Sequence, residues 1–560
     1  MATVSRTPSG ATHEVVNQVP PLEGHDAFEA NRPLSEALER EGGGWARERA
    51  SALGTWAGTA DARRWAAEAN EHPPVLQTHD RYGNRVDEVE FHPAWHELLG
   101  RAVAHEIHSL PWTSGEPGAH TARAALMMLF PEAGVGCPIS MTYAAVPALR
   151  ATPDIAEEWV PRLTSATYDR RFIPAPEKDG ALCGMAMTEK QGGSDVRANT
   201  TAAQPTNRFA VGADGGGAGA EYELTGHKWF CSAPMCDLFL VLAQADGGLS
   251  CFALPRFTPD GERNAFHLQR LKDKLGNRSN ASSEVEFRGA WARMVGEEGR
   301  GVPTIIEMVN HTRLDCVIGT AAIMRFAVEQ ATWHTSHRAA FGKTLIDQPL
   351  MTNVLADLCL ESEAATLAAM RLARAYDNPD DDRAETLFKR LATAVIKYWV
   401  CKRGPAVTGE ALECLGGNGY VEASGMPRLY REAPLSSIWE GSGNVIALDV
   451  LRALSSSPES LDAFFAEVEL AAGADPRLDA HVAAVRDEFT RPEGLETRAR
   501  RIVEGLALAL QGSLVVRHSP PAVADAFCAA RLDGDAGLAF GTLPAGVDTR
   551  AIVERHRVAP

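Results

Sequence analysis

The residue pattern changes twice along this chain, and these two changes limit the folds that it can adopt. From about 36 to 180, stretches such as ARERASALGTWAG and HTARAALMMLF have helical character. From 181 to 295, short runs such as EYELTGHKWF and LFLVLAQA alternate with glycine-rich turns, which predicts β-strands. After Gly301, long helical patterns return. This order predicts an α+β fold that is mostly helical.

The same pattern divides the chain into segments, as expected for 560 residues, which exceed one ordinary hydrophobic core. We predict an extended N-terminal arm (1–35), a helical N-terminal domain (36–180), a central β-domain (181–295), a helical bundle domain (296–455) and an extra helical C-terminal segment (456–560).

Charge and hydropathy argue against several classes of protein. The net charge of −18 argues against a surface that binds polyanions everywhere, so any contact with nucleic acid must be a local patch. Charged residues interrupt the apolar runs, as Lys397 does in ATAVIKYWVC, and no membrane span is predicted. The ten cysteines are scattered without a CxxC pair, which favours a reducing cytoplasm over a disulfide framework. We predict no metal site.

One carboxylate has unusual neighbours. In SIWEGSGN, Glu440 follows Ile438 and Trp439 and precedes Gly441 and Gly443. It is either a solvated residue near a helix N-terminus, which the helix dipole favours, or a base held in a dry pocket. This short stretch by itself leaves both interpretations open.

Two further stretches are suited to holding a flat heterocycle. AMTEKQGGSD at 186–195 combines small residues, a hydroxyl and a tight Gly-Gly turn, which allows backbone N–H groups to approach a polar ring edge. GHKWFCS at 226–232 adds aromatic side chains on a predicted strand. Each signal is weak alone, because such a turn is most often only a turn and an aromatic strand residue is usually core.

Five motifs together resemble the acyl-CoA dehydrogenases in order and rough spacing: AMTEKQGGSD, GHKWFCS, RAAFGKTLIDQ (338–348), LGGNGY (415–420) and IWEGSGN (438–444). LKDKLGNRSNASSEVEF, PRLYREAPLSSIWEGSGN and the long C-terminal segment are similar to the AidB branch, flavoproteins associated with the bacterial response to DNA alkylation. The resemblance extends from about Gly43 to the SPP at 519–521. It implies a barrel-like β-domain, a four-helix bundle and a homotetramer.

The resemblance also implies that FAD binds between the β-domain and the bundle, with a neighbouring subunit completing the site. The implied flavin contacts are Met185, Met187, Thr188, Gly193, Ser194, Phe230, Cys231 and Ser232. Further contacts are implied at Ile438, Gly441, Ser442, Gly443 and Asn444, the last standing where many members have glutamine. The positions implied at the pyrophosphate and adenosine end, often across a subunit interface, are Arg338, Phe341, Gln348, Gly416 and Gly417.

For Glu440 the resemblance implies the role of base. It would remove the α-proton of an acyl-CoA thioester while the β-hydrogen leaves as hydride to the flavin. Trp439 stands where many members have a smaller residue and is expected to narrow the acyl pocket, and Arg313 in NHTRLD is expected to hold the base in its charged form. Weak dehydrogenation of short branched acyl-CoAs, such as isovaleryl-CoA, is therefore expected. A competent dehydrogenase or oxidase of specialised acids and a non-catalytic, FAD-stabilised DNA-binding protein are the alternatives.

The AidB branch further implies contact with duplex DNA through the C-terminal segment, although 451–560 carries slightly more acidic than basic side chains. The candidate DNA-binding residues are Arg452, Arg498, Arg500, Arg501 and Arg517. Arginines within one helical turn repel each other unless a bound anion or a nearby carboxylate compensates their positive charges. Nonspecific, salt-sensitive DNA binding is one expectation, and a segment that only packs on the bundle is the other.

Overall fold

The N-terminal region is mainly helical. The computed structural model of the protein describes residues 12–206, 216–377, 382–491 and 493–558. The helices of this region are α1 (Arg32–Arg40), α2 (Arg47–Ala57), α3 (Ala60–Glu71), α4 (Pro93–Ala104), α5 (Leu110–Thr113), α6 (Ala119–Met128), α7 (Ala133–Leu149) and α8 (Pro153–Leu163). The antiparallel hairpin of β1 (Val75–His79) and β2 (Arg85–Glu90) lies within it and was missed by the purely helical prediction.

The central region forms one seven-stranded sheet. Its strands are β3 (Cys183–Ala186), β4 (Ala202–Pro205), β5 (Glu221–Ser232), β6 (Leu238–Ala245), β7 (Gly248–Pro255), β8 (Phe266–Leu271) and β9 (Ser282–Val295). The strand order is β3-β6-β4-β5-β9-β7, and an additional β6–β7 pairing joins β4, β5, β6, β7 and β9 into a ring. This ring is the barrel-like domain that the sequence predicted.

Long helices follow the sheet. They are α9 (Gly301–His337), α10 (Pro349–Tyr376), α11 (Arg383–Glu413), α12 (Met426–Glu432) and α13 (Gly443–Ser456). Between α9 and α10 a two-residue-strand hairpin, β10 (Ala339–Ala340) and β11 (Lys343–Thr344), turns at Phe341 and Gly342. Helix α9 packs against both α10 and α11, and α11 also packs against α13, as expected for a bundle.

The C-terminal segment covers the outside of this bundle. Its helices are α14 (Glu459–Val468), α15 (Pro476–Glu488), α16 (Leu495–His518), α17 (Pro521–Phe527) and α18 (Thr549–His556). Helix α16 contacts α10, α11 and α13, and α18 contacts α10. None of the helices in the described part of the chain combines the length and apolar character that a membrane crossing requires.

Candidate active site

A cavity of about 610 Å³ is lined by residues of the N-terminal helices, the β-domain and the bundle, and its volume is in the usual range for small-molecule sites. The predicted site residues that line it are Met185, Met187, Thr188, Gly193, Ser194, Phe230, Ser232, Arg313, Ile438, Trp439, Glu440, Gly441 and Ser442. The fold therefore brings the motifs of the β-domain and of SIWEGSGN to one cavity.

The loop that carries Glu440 is held by two buried cations. Lys397 Nζ donates to the main-chain oxygens of Trp439 and Gly441, at 2.8 and 2.6 Å. Arg313 Nε donates to the main-chain oxygen of Glu440 at 3.0 Å. Glu440 has a φ of 56°, in the left-handed region that non-glycine residues rarely adopt. Three consecutive carbonyls held by cations explain how this strained backbone persists.

The Glu440 carboxylate belongs to the cavity and not to a helix cap. Its Oε2 accepts a 2.8 Å hydrogen bond from Thr312 Oγ1 of α9. The N-cap of α13 is Ser442, so the alternative of a helix-cap glutamate does not describe this residue. Burial raises the pKa of Glu440 more than the hydrogen bond from Thr312 and the charges of Lys397 and Arg313 lower it. A carboxylate with a raised pKa in such a site is suited to act as a base.

Arg313 contacts a different part of the loop than expected. Its Nη1 atom pairs with Asp449 Oδ2 at 2.7 Å, while Nε binds the Glu440 main-chain oxygen. The charge of Arg313 lowers the pKa of Glu440 less than any other cause does. Arg313 therefore orients the loop, and its charge favours the ionised form of Glu440, as expected, but less than burial opposes it.

Trp439 lines the cavity, and its indole nitrogen is unpaired. The Nε1 atom is buried and has no hydrogen-bond partner within the described residues. A buried indole N–H normally finds an acceptor. A bound molecule with an acceptor at this wall would satisfy it.

One predicted flavin contact is corrected by strand geometry. Successive side chains of a strand point to opposite faces. Phe230 is 48% exposed and lines the cavity with Ser232, whereas Cys231 between them is fully buried and does not line it. The side chain of Cys231 therefore does not contact a ligand in the cavity, and its main-chain oxygen already accepts a 2.8 Å hydrogen bond from Ser283 Oγ.

The residues predicted for the adenosine end lie outside the cavity of their own chain. Phe341 stands 98% exposed at the tip of the β10–β11 hairpin. Arg338 donates to the main-chain oxygen of Asn17, and Gln348 Nε2 donates to that of Ala340 at 2.8 Å. Gly416 and Gly417 lie in a short turn after α11, and neither lines the cavity. A role for these residues across a subunit interface stays a prediction.

The start of α13 is engaged by the C-terminal segment. Asn444 Oδ1 accepts a 2.8 Å hydrogen bond from Arg500 Nε. A Cβ at Gly443 would lie 2.9 Å from Lys402 Nζ, so a larger residue would displace that side chain. Neither Gly443 nor Asn444 lines the cavity.

Most of the candidate DNA-binding arginines form ion pairs with carboxylates of the same chain. Arg498 and Arg501 both pair with Glu488, Arg501 at 3.1 Å, and Arg517 pairs with Glu467 at 2.7 Å. Arg498 and Arg517 are largely covered, whereas the side chain of Arg501 stays 80% exposed, and a DNA contact by these residues stays a prediction. Arg452 is exposed.

Two residues that organise the base were absent from the sequence-based prediction. Thr312 directly precedes Arg313, so its place on the same helix was available from the NHTRLD motif. Lys397 interrupts an apolar run of α11 and is almost fully buried. A lysine in such a run needs buried acceptors, and that signal could have identified it.

Comparison with known proteins agrees with the motifs. Residues 17–170 match the adaptive response protein AidB N-terminal domain, 184–290 the acyl-CoA dehydrogenase middle domain, and 299–455 the acyl-CoA dehydrogenase C-terminal domain. The chain is 44% identical to the putative acyl-CoA dehydrogenase AidB of Escherichia coli over 94% of this chain and 96% of that protein.

Two solved structures share the fold. ACDH-11 of Caenorhabditis elegans in complex with C11-CoA has a TM-score of 0.81 at 28% identity, covering 95% of each chain. An acyl-CoA dehydrogenase from Bacillus anthracis complexed with FAD has a TM-score of 0.63 at 17% identity, covering 79% of this chain and 81% of that one. With the matched domains and the identity above, the chain belongs to the acyl-CoA dehydrogenase family, oxidoreductases acting on CH–CH groups, in its AidB branch.

Proposed function

We propose that this protein is an FAD-dependent enzyme that dehydrogenates short branched acyl-CoA thioesters between the α- and β-carbons, with restricted activity, in the cytoplasm. The observation that carries the proposal is the half-buried Glu440, whose carboxylate stands at the wall of a cavity of about 610 Å³, is held there by Thr312 and has a raised pKa, as suits a base. The complex of the related ACDH-11 with C11-CoA supports an acyl-CoA ligand.

The cavity fits the isoalloxazine end of FAD. Met185, Met187 and Phe230 provide an apolar surface for the ring, and the hydroxyls of Thr188 and Ser232 provide polar contacts at its edge. Glycine is needed beside this surface, because a Cβ at Gly193 would lie 2.4 Å from Thr188 Oγ1. When bound, FAD supplies the acceptor for the hydride of the β-carbon.

The chain's own residues position the substrate and take its proton. Glu440 accepts the α-proton, and Thr312 fixes one oxygen of its carboxylate. Lys397 and Arg313 hold the loop so that this carboxylate stays at the cavity wall. Trp439 limits the width of the pocket beside the base, and its unpaired N–H offers a donor to a bound acceptor.

The absorption spectrum of the purified protein tests this function. We expect a yellow homotetramer with FAD in each subunit and bleaching of the flavin when isovaleryl-CoA is added without oxygen. The fully exposed Phe341 hairpin supports assembly, because a neighbouring subunit would cover it. A colourless, stable monomer after incubation with FAD would overturn both the cofactor and the assembly.

Replacing Trp439 by alanine is expected to widen the pocket. Because one methylene changes specificity by roughly 10- to 200-fold, kcat/KM for longer acyl-CoAs should rise about tenfold or more relative to isovaleryl-CoA. Flavin bleaching rates across a chain-length series measure this ratio, with Trp45→Ala at an exposed position as control. An unchanged ratio would show that Trp439 does not limit chain length.

A second role, nonspecific binding of duplex DNA, is supported by Arg452, which is exposed on α13. Each phosphate contact contributes about −0.9 to the slope of log K against log salt. Arg452→Glu should therefore weaken DNA mobility shifts at low salt and reduce that slope. Arg64→Glu, at an exposed arginine of α3 that pairs with Asp61 and is not a DNA candidate, is the comparison. If wild type and Arg452→Glu shift DNA equally, Arg452 does not contact DNA.

A further inference from the structure

The cavity has a second charged wall that the dehydrogenation does not use. Glu132, Lys274, Arg428 and Glu432 line it, and we call these four residues the polar wall. Glu132 is only 2% exposed and Glu432 only 5%. Charged groups this deeply buried need partners.

Some side-chain atoms of the polar wall form hydrogen bonds within the chain. Glu132 Oε2 accepts a 3.0 Å hydrogen bond from Val135 N at the start of α7. Glu432 Oε1 accepts a 2.7 Å bond from Asn277 N, and Lys274 Nζ donates to Ser282 Oγ at 3.1 Å. These bonds hold the side chains at the cavity.

Two atoms of the polar wall have no partner. Glu132 Oε1 and Arg428 Nη1 are both buried and unbonded within the described residues. The charge of Arg428 nevertheless lowers the pKa of both Glu132 and Glu432, so it lies near them. An acceptor and a donor thus line one cavity without bonding each other, and the hydroxyl of Ser279 beside Glu132 is likewise unpaired among the described residues. A group between the acceptor and the donor would satisfy both.

The charges of the wall indicate what kind of group this is. Burial, and then the charge of Glu132, raises the pKa of Glu432 to about 7. Two neighbouring buried carboxyls do not both ionise readily, so a carboxylate ligand is disfavoured. An ammonium ligand is also disfavoured, because the positive charges of Arg428 and Lys274 would repel it. A neutral group that both donates and accepts a hydrogen bond matches the two unpaired atoms.

We propose that the polar wall binds a hydroxyl group on the acyl chain, which accepts from Arg428 and donates to Glu132. This rests on the proposed acyl-CoA dehydrogenation. Cys137, the polar wall and Glu440 all line the same cavity of about 610 Å³, so one bound acyl group can contact both the wall and the base. The preferred substrates are then hydroxylated acyl-CoA thioesters.

Binding and reduction with paired ligands test the proposal. ω-Hydroxyacyl-CoAs of increasing chain length are compared with unsubstituted acyl-CoAs of equal length, on the FAD-loaded protein without oxygen. Dissociation constants come from the flavin spectrum of a Glu440→Gln background, and bleaching rates from the unaltered protein. At the matching length the hydroxylated ligand should bind at least about tenfold more tightly than the unsubstituted one. The unsubstituted chain lacks the hydroxyl and leaves the buried polar groups unpaired.

Arg428→Met should reduce this preference to near one. Arg431→Met is the matched control, because Arg431 lies on the same helix but pairs with Glu422 outside the cavity, and it should keep the preference. Equal binding of both ligands at every length, as expected if the gap holds only water, overturns the hydroxyl site while bleaching still supports the dehydrogenase. If no acyl-CoA binds or bleaches the flavin, the proposed function fails as well.

Discussion

Replacing Glu440 by glutamine is expected to leave FAD bound and to abolish the bleaching of the flavin by acyl-CoA. An amide cannot take the α-proton, and loss of a general base typically costs on the order of 100- to 10,000-fold in rate. The substitution preserves the size of the side chain and its hydrogen bond with Thr312. Anaerobic stopped-flow bleaching measures the rate, and the flavin absorbance before mixing measures FAD content.

The control for this substitution is Glu422→Gln, since Glu422 is an exposed glutamate outside the cavity. In the unaltered protein, the rate should fall as pH decreases through the pKa of Glu440, because only the ionised form is a base. Burial raises that pKa, so the midpoint should lie above the usual range of a glutamate. Bleaching by Glu440→Gln as fast as by wild type would exclude Glu440 as the base.

Replacing Asp315 by asparagine is expected to destabilise the protein strongly. Asp315 of α9 binds Arg123 of α6 through two bonds of 2.6 and 2.7 Å, and both side chains are almost fully buried. Removing one partner leaves an uncompensated buried charge, which costs about 3–5 kcal/mol. Denaturant unfolding of the FAD-loaded protein measures the loss.

The exposed pair of Arg64 and Asp61, at 2.9 Å, provides the matched comparison. Asp61→Asn should cost under about 1 kcal/mol, because solvent screens an exposed pair. Similar losses for both variants would mean that the buried pair contributes no more than a surface pair.

The order of helical and β regions could be predicted from the sequence because side-chain periodicity is a local property. The long glycine-punctuated β-region and the long helices after Gly301 have periods that differ clearly. The β1–β2 hairpin was missed because its two short strands lie between α3 and α4, in a region of helical character. Short elements of this kind carry too few residues for a period to be recognised.

The motifs AMTEKQGGSD, GHKWFCS and IWEGSGN were predicted to meet because residues such as Thr188 and Glu440 define the family pattern, and they do line one cavity. The groups that surround them became evident only from the fold. Lys397 is far from the loop in sequence but binds two of its carbonyls, and Glu488 forms ion pairs with Arg498 and Arg501. The physical reason is that hydrogen bonds, ion pairs and burial depend on distances between residues remote in the chain, which no local pattern encodes.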